Sequence, residues 1–228
     1  MILFLKKPID ANDLEFTLCF PRQNINLVSI MQIPTIEQCY HLMCEMKMMD
    51  HIVLHSMQVC RVATFLAQNL NAQDHLLNYD LIQAAALLHD ITKTRSFKTE
   101  ENHARTGGQF LAEQGYPEVG DLVRQHVRLD AYPHPITLGE AEILNYADKR
   151  VLHDRIVGLD QRLDYILERY GKLPGHEEQI RWLWHQTIAM EEEIFHDLDI
   201  SPQDLDRLLN SEDRSKDFSE YQKVCGLI

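Results

Sequence analysis

The sequence predicts an all-α protein. From Pro34 onward apolar residues recur at helical spacing, and capping and stop signals punctuate the segments. Strict apolar/polar alternation, the mark of half-buried strands, is scarce. The periodic segments run over roughly 35–46, 51–70, 80–92, 103–114, 117–129, 138–156, 160–170, 176–197 and 202–210.

Residues 1–33 read differently. "LEFTLCF" and "NINLVSIMQI" are strand-like, but nothing later offers strands to pair with them. An N-terminal extension follows, as a hairpin or disordered; a true start at Met31 is a further reading. The first helix opens on Thr35-Ile36-Glu37-Gln38, a capping box in which the Thr hydroxyl and the Gln side chain satisfy each other's backbone amides. The second carries an apolar stripe of Ile52, Val59, Val62, Leu66 and Leu70, with His55 on it. Segment 80–92 is apolar around its whole circumference and is therefore expected to be buried on all sides. Gly115 and Gly171 sit where helices should stop, and Pro117 can begin the next one. Arg105-Thr106-Gly107-Gly108 lacks the pattern of a phosphate loop, so its glycines are assigned to close helix packing. Thr137–Glu140 repeats the capping signature, and Ser201-Pro202 caps the last periodic segment. Residues 211–220 are polar enough for a mobile tail.

Bulk properties exclude several classes. The chain has 22 Lys and Arg against 35 Asp and Glu, a net charge of −13, which argues against duplex nucleic acid or an anionic membrane as partner. A small phosphorylated or nucleotide substrate in a local pocket is still admitted. No apolar run reaches the ~18 residues of a membrane span, and the N-terminus has the wrong order for a signal peptide. Cys19, Cys39, Cys44, Cys60 and Cys225 form no CxxC, so reduced thiols and a cytoplasmic location are expected.

The dipeptide His-Asp occurs three times. His153-Asp154 lies among Lys149, Arg150 and Arg155, and His196-Asp197 ends an acidic helix; both read as solvated. His89-Asp90 instead ends the greasy run "AAALLHDITK". There the helix dipole opposes a carboxylate, so Asp90 needs a positive neighbour, either Lys93 at i+3 or a metal ion. Asp148 lies on the apolar stripe of its helix with Leu144, and no helical neighbour can neutralise it. His55, His89, Asp90 and Asp148 thus form an inward-facing nitrogen and oxygen set. It suits Fe, Mn, Zn, Co or Ni, and Mg less well.

In this order and on successive helices, "HSMQVCRVATFLA", "AALLHDITK" and "AEILNYADKRVLHDR" resemble the blocks of the HD-domain superfamily of metal-dependent phosphohydrolases. The resemblance covers residues 34–170, an HD-domain helical core, with 171–228 as C-terminal helices and tail packed on it. It implies a multi-helix bundle around a central metal, held by His55, His89, Asp90 and Asp148. One ion is expected, and a second is open to His103 and His126. The implied activity is cleavage of a phosphate ester by metal-activated water, with Lys93 beside Asp90 as a phosphate-binding cation. Arg95, Arg105 and Arg128 are further candidates for substrate contact. His134, in the Pro-rich "DAYPHPI", is assigned to the surface. Many members carry Gly where this chain has Thr92, so the turn after Asp90 is expected to differ. An HD-fold di-iron oxygenase and a non-catalytic nucleotide-sensing module are the alternatives, and a homodimer through helix 176–197 is left open.

Overall fold

The computed structural model describes residues 31–132, 136–209 and 214–228. Helices dominate them: α1 (Ile36–Glu45), α2 (Asp50–Asn71), α3 (Tyr79–Leu88), α4 (Lys93–Thr99), α5 (His103–Glu113), α6 (Pro117–Gln125) and α7 (Glu140–Lys149). A hairpin of β1 (Val151–Leu152) and β2 (Arg155–Ile156) follows, pairing Val151 with Ile156 and Leu152 with Arg155. Then come α8 (Leu159–Tyr170), α9 (His176–His196), α10 (Asp204–Leu209) and α11 (Arg214–Val224). The protein is all-α. Residues 1–30 of the expected N-terminal extension, and His134, lie outside the described residues.

The apolar run decides the arrangement. Leu81, Ile82 and every residue from Ala84 to Leu88 are buried, because α3 packs against α1, α2, α6 and α7 at once. Asn78 caps its start through a bond from Leu81 N (3.1 Å), and the Asn78 amide itself donates to Glu140 Oε1 (2.9 Å). The Thr35–Gln38 capping box forms as expected. The second one shifts: α7 starts at Glu140, and Gly139 N donates to Glu142 Oε2 (3.1 Å).

Helices α5 and α6 meet backbone to backbone. A Cβ on Gly108 would stand 2.6 Å from the Gly120 carbonyl oxygen, and one on Gly120 would press still closer on that of Gly108. The glycines are there to allow contact, and the contact brings the start of α5 beside the end of α6.

Several expectations are corrected. Segment 80–92 stops at Leu88 and gives way to a turn and then α4. Segment 138–156 stops at Lys149, so Val151 and Leu152 belong to the hairpin. Lys149 and Arg150 are buried: the Arg150 guanidinium donates to Val157 O (2.8 Å) and Pro202 O (2.9 Å) and pairs with Glu191 (2.8 Å). These bonds tie α9 and the 202 region to α7, and Trp184 Nε1 donating to Leu159 O (2.8 Å) ties α8 to α9. Residues 214–224, which overlap the expected tail 211–220, are helical. Tyr221 is buried edge-on against Tyr40, Arg61 pairs with Asp217 (2.7 Å), and Cys225 forms a disulfide with Cys44. The two half-cystines lie 181 residues apart, which is why no spacing signal announced them. Cys39 and Cys60 are buried free thiols. Among the described residues, no helix is long and apolar enough to cross a membrane.

Two outcomes follow from this packing. Gly120→Ala forces backbone apart and should destabilise by about 1–3 kcal/mol, read as a lower denaturant midpoint in an unfolding titration. Cys225→Ser should cost about 2–4 kcal/mol. A reductant should lower the thermal midpoint of the parent protein to that of the variant, while leaving the variant unmoved.

Candidate metal centre

Four of the helical segments deliver six polar side chains to the buried end of α3, with the turn after it. His55 comes from the middle of α2, and His89 and Asp90 from the turn that ends α3. His103 opens α5, His126 follows the last turn of α6, and Asp148 sits in the last turn of α7. His89, Asp90 and His126 are enclosed, while Asp148, His103 and Lys93 keep side-chain exposures of 13%, 26% and 31%. The open side of the cluster is therefore the face of Asp148, His103 and Lys93.

The two oxygens of Asp90 face different sets. Oδ2 lies 3.4 Å from His89 Nε2 and 4.0 Å from His55 Nε2, and Lys93 Nζ donates to it at 2.7 Å. Oδ1 lies 3.2 Å from His103 Nε2 and 3.6 Å from His126 Nε2. Asp148 Oδ1 closes the first set, 3.1 Å from His55 Nε2 and 3.7 Å from His89 Nε2. Ligand atoms of His55, His89 and Asp148 fall within 4.8 Å of one another, as do those of His89, Asp90 and His126.

Backbone carbonyls orient the imidazoles. His55 Nδ1 donates to His153 O (2.7 Å), His89 Nδ1 to Ala86 O (2.8 Å) and His126 Nδ1 to Val123 O (2.6 Å). With the proton held at Nδ1, each neutral ring turns an Nε2 lone pair inward, the arrangement that metal-binding imidazoles use. Burial draws His126 down to about 3 and lowers His55 against the pull of Asp148. Burial also works against a charge on His89, but Asp90 and then Asp148 outweigh it and raise its pKa. Burial alone would raise Asp90 and Asp148; the imidazoles with Lys93, and with Arg162, hold both well below the carboxylate range.

This geometry passes a test for a cation. His89 Nε2 and Asp90 Oδ1 are buried yet make no hydrogen bond among the described residues. Such atoms are costly in an apolar bundle unless something else satisfies them. The cluster of imidazoles and carboxylates could hold a metal ion. Lys93 answers only for Oδ2, so Oδ1 needs a partner of another kind.

The remaining candidates lie elsewhere. Arg95 pairs with Glu101 (2.6 Å), Arg105 is exposed on α5, and Arg128 lies over Trp182 (6.0 Å); no contact joins any of them to the cluster. His196-Asp197 is solvated as expected, with exposures of 77% and 58%. His153 is not merely solvated: its carbonyl orients His55, from a left-handed backbone (φ 56°) that is unusual for a non-glycine residue. Thr92 needs no glycine-like conformation, having φ −102°. Its hydroxyl donates to the His103 carbonyl (2.8 Å) and shares a bond with Thr106 (2.9 Å), so it fastens the start of α5 to the turn carrying Asp90. Asn145 does the same for α6, donating to Gln125 O (3.0 Å) and His126 O (2.9 Å) while accepting from Lys149 Nζ (2.6 Å). Sequence pattern offered no sign of these backbone bonds. Arg162 did carry a sign: it stands at i+3 from Leu159 and i−4 from Ile166, on the apolar stripe of α8.

Thr92→Val keeps shape but removes both hydroxyl bonds. It should loosen the start of α5 from the turn that carries Asp90 and destabilise by about 1–3 kcal/mol, read as a lower denaturant midpoint.

Comparison with known proteins places the cluster in context. The protein-family model described as HD domain matches residues 52–152, the stretch from α2 to β1. A ribonuclease Y of Rubrobacter xylanophilus is 32% identical over 93 residues, covering 41% of this chain but only 16% of that protein's length. An uncharacterized protein of Methanocaldococcus jannaschii is 26% identical over 137 residues, covering 54% of this chain and 79% of the other. A solved structure of a predicted HD superfamily hydrolase from an uncultured Thermotogales bacterium has 20% identity and a TM-score of 0.41, covering 72% of this chain and 91% of that one. The match over residues 52–152 spans His55, His89, Asp90 and Asp148, so the stretch that carries these four candidates is the part of the chain similar to an HD domain.

Proposed function

We propose that the protein is a metal-dependent phosphohydrolase acting on a small phosphorylated molecule or nucleotide. One observation carries the reading: Asp90 directs Oδ2 toward His55 and His89, which Asp148 also faces, and Oδ1 toward His103 and His126. A carboxylate shared in this way fits two neighbouring cations. We assign the first to His55, His89, Asp90 and Asp148, and the second to Asp90, His103 and His126. The nitrogen and oxygen donors suit Fe, Mn, Zn, Co or Ni better than Mg. When bound, such ions lower the pKa of water toward neutrality and screen charge on phosphoryl oxygens.

The chain's own residues do the rest. The carbonyls of Ala86, Val123 and His153 hold the imidazoles in one tautomer, so the site is organised before a ligand arrives. The apolar walls of α2 and α3 exclude bulk water behind the centre and strengthen every charge interaction within it. Lys93, on the open face, offers a cation to an incoming phosphate while its ammonium anchors Oδ2. The likeness to a protein named ribonuclease Y supports phosphoester cleavage as the reaction class. The net charge of −13 favours a small substrate over a long nucleic acid.

The same gathering of His103 and His126 on Asp90 favours one second reading, an HD-fold di-iron oxygenase. Bound iron with oxygen uptake would establish it; phosphate release without oxygen uptake establishes the hydrolase.

Elemental analysis of the purified protein should find up to two transition-metal ions per chain. Asp90→Ala should lose both ions and reduce phosphate release from generic phosphate esters at least about 10³-fold. His126→Ala should retain one ion. Full activity in metal-depleted Asp90→Ala would overturn the proposal.

A further inference from the structure

Arg162 enters the site from α8, beyond the matched residues 52–152. Its Nη2 lies 3.7 Å from Asp148 Oδ1, close enough for charge attraction but too long for a hydrogen bond. Its side chain is only 12% exposed, and its Nε is buried without a hydrogen-bond partner among the described residues. Tyr165, one turn on, lies under the guanidinium (5.8 Å) and packs edge-on against His153 (5.5 Å). The carbonyl of that same His153 orients His55. Arg162 is therefore held by the elements that build the centre, with donor capacity left unused. A guanidinium carries five N–H donors, and burying it half-satisfied is costly unless a ligand completes it.

Charge decides what that ligand is. Without metal, the two carboxylates Asp90 and Asp148 face two cations, Lys93 and Arg162, and the protein's own charges balance. Each divalent ion then adds uncompensated positive charge, which a dianion neutralises better than a monoanion. Shape agrees. A phosphate monoester has three non-bridging oxygens, enough to meet Lys93 and Arg162 and still face the metal centre. A diester has two, and would leave Lys93 or Arg162 without an oxygen.

We propose that Arg162 is a substrate-binding residue which, with Lys93, makes the site selective for dianionic phosphate monoesters. The proposal rests on the phosphohydrolase reading for its turnover and on binding geometry alone for its anion site.

The test uses the full chain loaded with Mn, with Arg162→Ala and Arg162→Lys as variants. Metal content and the thermal midpoint show whether each variant keeps its fold and ions. Para-nitrophenyl phosphate and bis-para-nitrophenyl phosphate report monoester and diester turnover, and calorimetric titration with inorganic phosphate reports the anion site without chemistry. The parent should favour the monoester and bind phosphate. Arg162→Ala should lose about 10- to 100-fold in both monoester kcat/KM and phosphate affinity while diester turnover changes little. Arg162→Lys, which keeps the charge but not the fork, should recover part of the loss. Unchanged phosphate affinity in Arg162→Ala, equal losses on both esters, or a parent that prefers the diester would overturn the proposal. A parent that binds phosphate but turns over neither ester overturns the phosphohydrolase reading, and the phosphate titration then decides Arg162 by itself. Should Arg162→Ala lose its fold, Arg162→Lys carries the decision: phosphate affinity and ester preference identical to the parent would overturn the proposal.

Discussion

The structure is organised around a buried carboxylate. Asp90 has no exposure to solvent and stands at the carboxyl end of an apolar, buried helix whose dipole opposes its charge. Such a group persists only if its surroundings are built to compensate it. Lys93 compensates one oxygen, and the other is left facing two imidazoles. The helices that converge on the end of α3 can be read as the apparatus that brings positive partners to that point.

Much of that apparatus was legible in the chain. The apolar residues Leu81, Ile82 and Ala84 to Leu88 foretold a helix buried on all sides. A carboxylate on an apolar stripe, Asp148, and an imidazole on another, His55, pointed to a shared interior, and the structure puts their atoms 3.1 Å apart. Helix periodicity reports which way a side chain points, so groups that break a stripe are visible. Arg162 breaks one in the same manner, and the same criterion applied to α8 identifies it.

What sequence did not show were interactions made by the backbone. The carbonyls of Ala86, Val123 and His153 belong to no residue type, so no pattern of letters marks them as tautomer-setting acceptors. The hairpin after α7 was hidden because two-residue strands are too short to display alternation, and the helix 214–224 because its composition is polar. That helix is held by a short face of Phe218, Tyr221 and Val224 against the core and by Asp217 with Arg61. Thr92 shows the reverse error. A departure from a family pattern suggested an altered turn, yet the hydroxyl it introduces ties the turn to His103.

The link between Cys44 and Cys225 also changes the topology of the molecule. Between them the backbone closes into a covalent ring, and all six side chains of the centre, together with Lys93 and Arg162, are mounted on it. A single peptide-bond cut within the ring therefore yields an opened chain rather than two separable pieces, so the ligands of both half-sites stay joined in one molecule. Dividing the centre between fragments takes a second cut within the ring, or reduction together with the first.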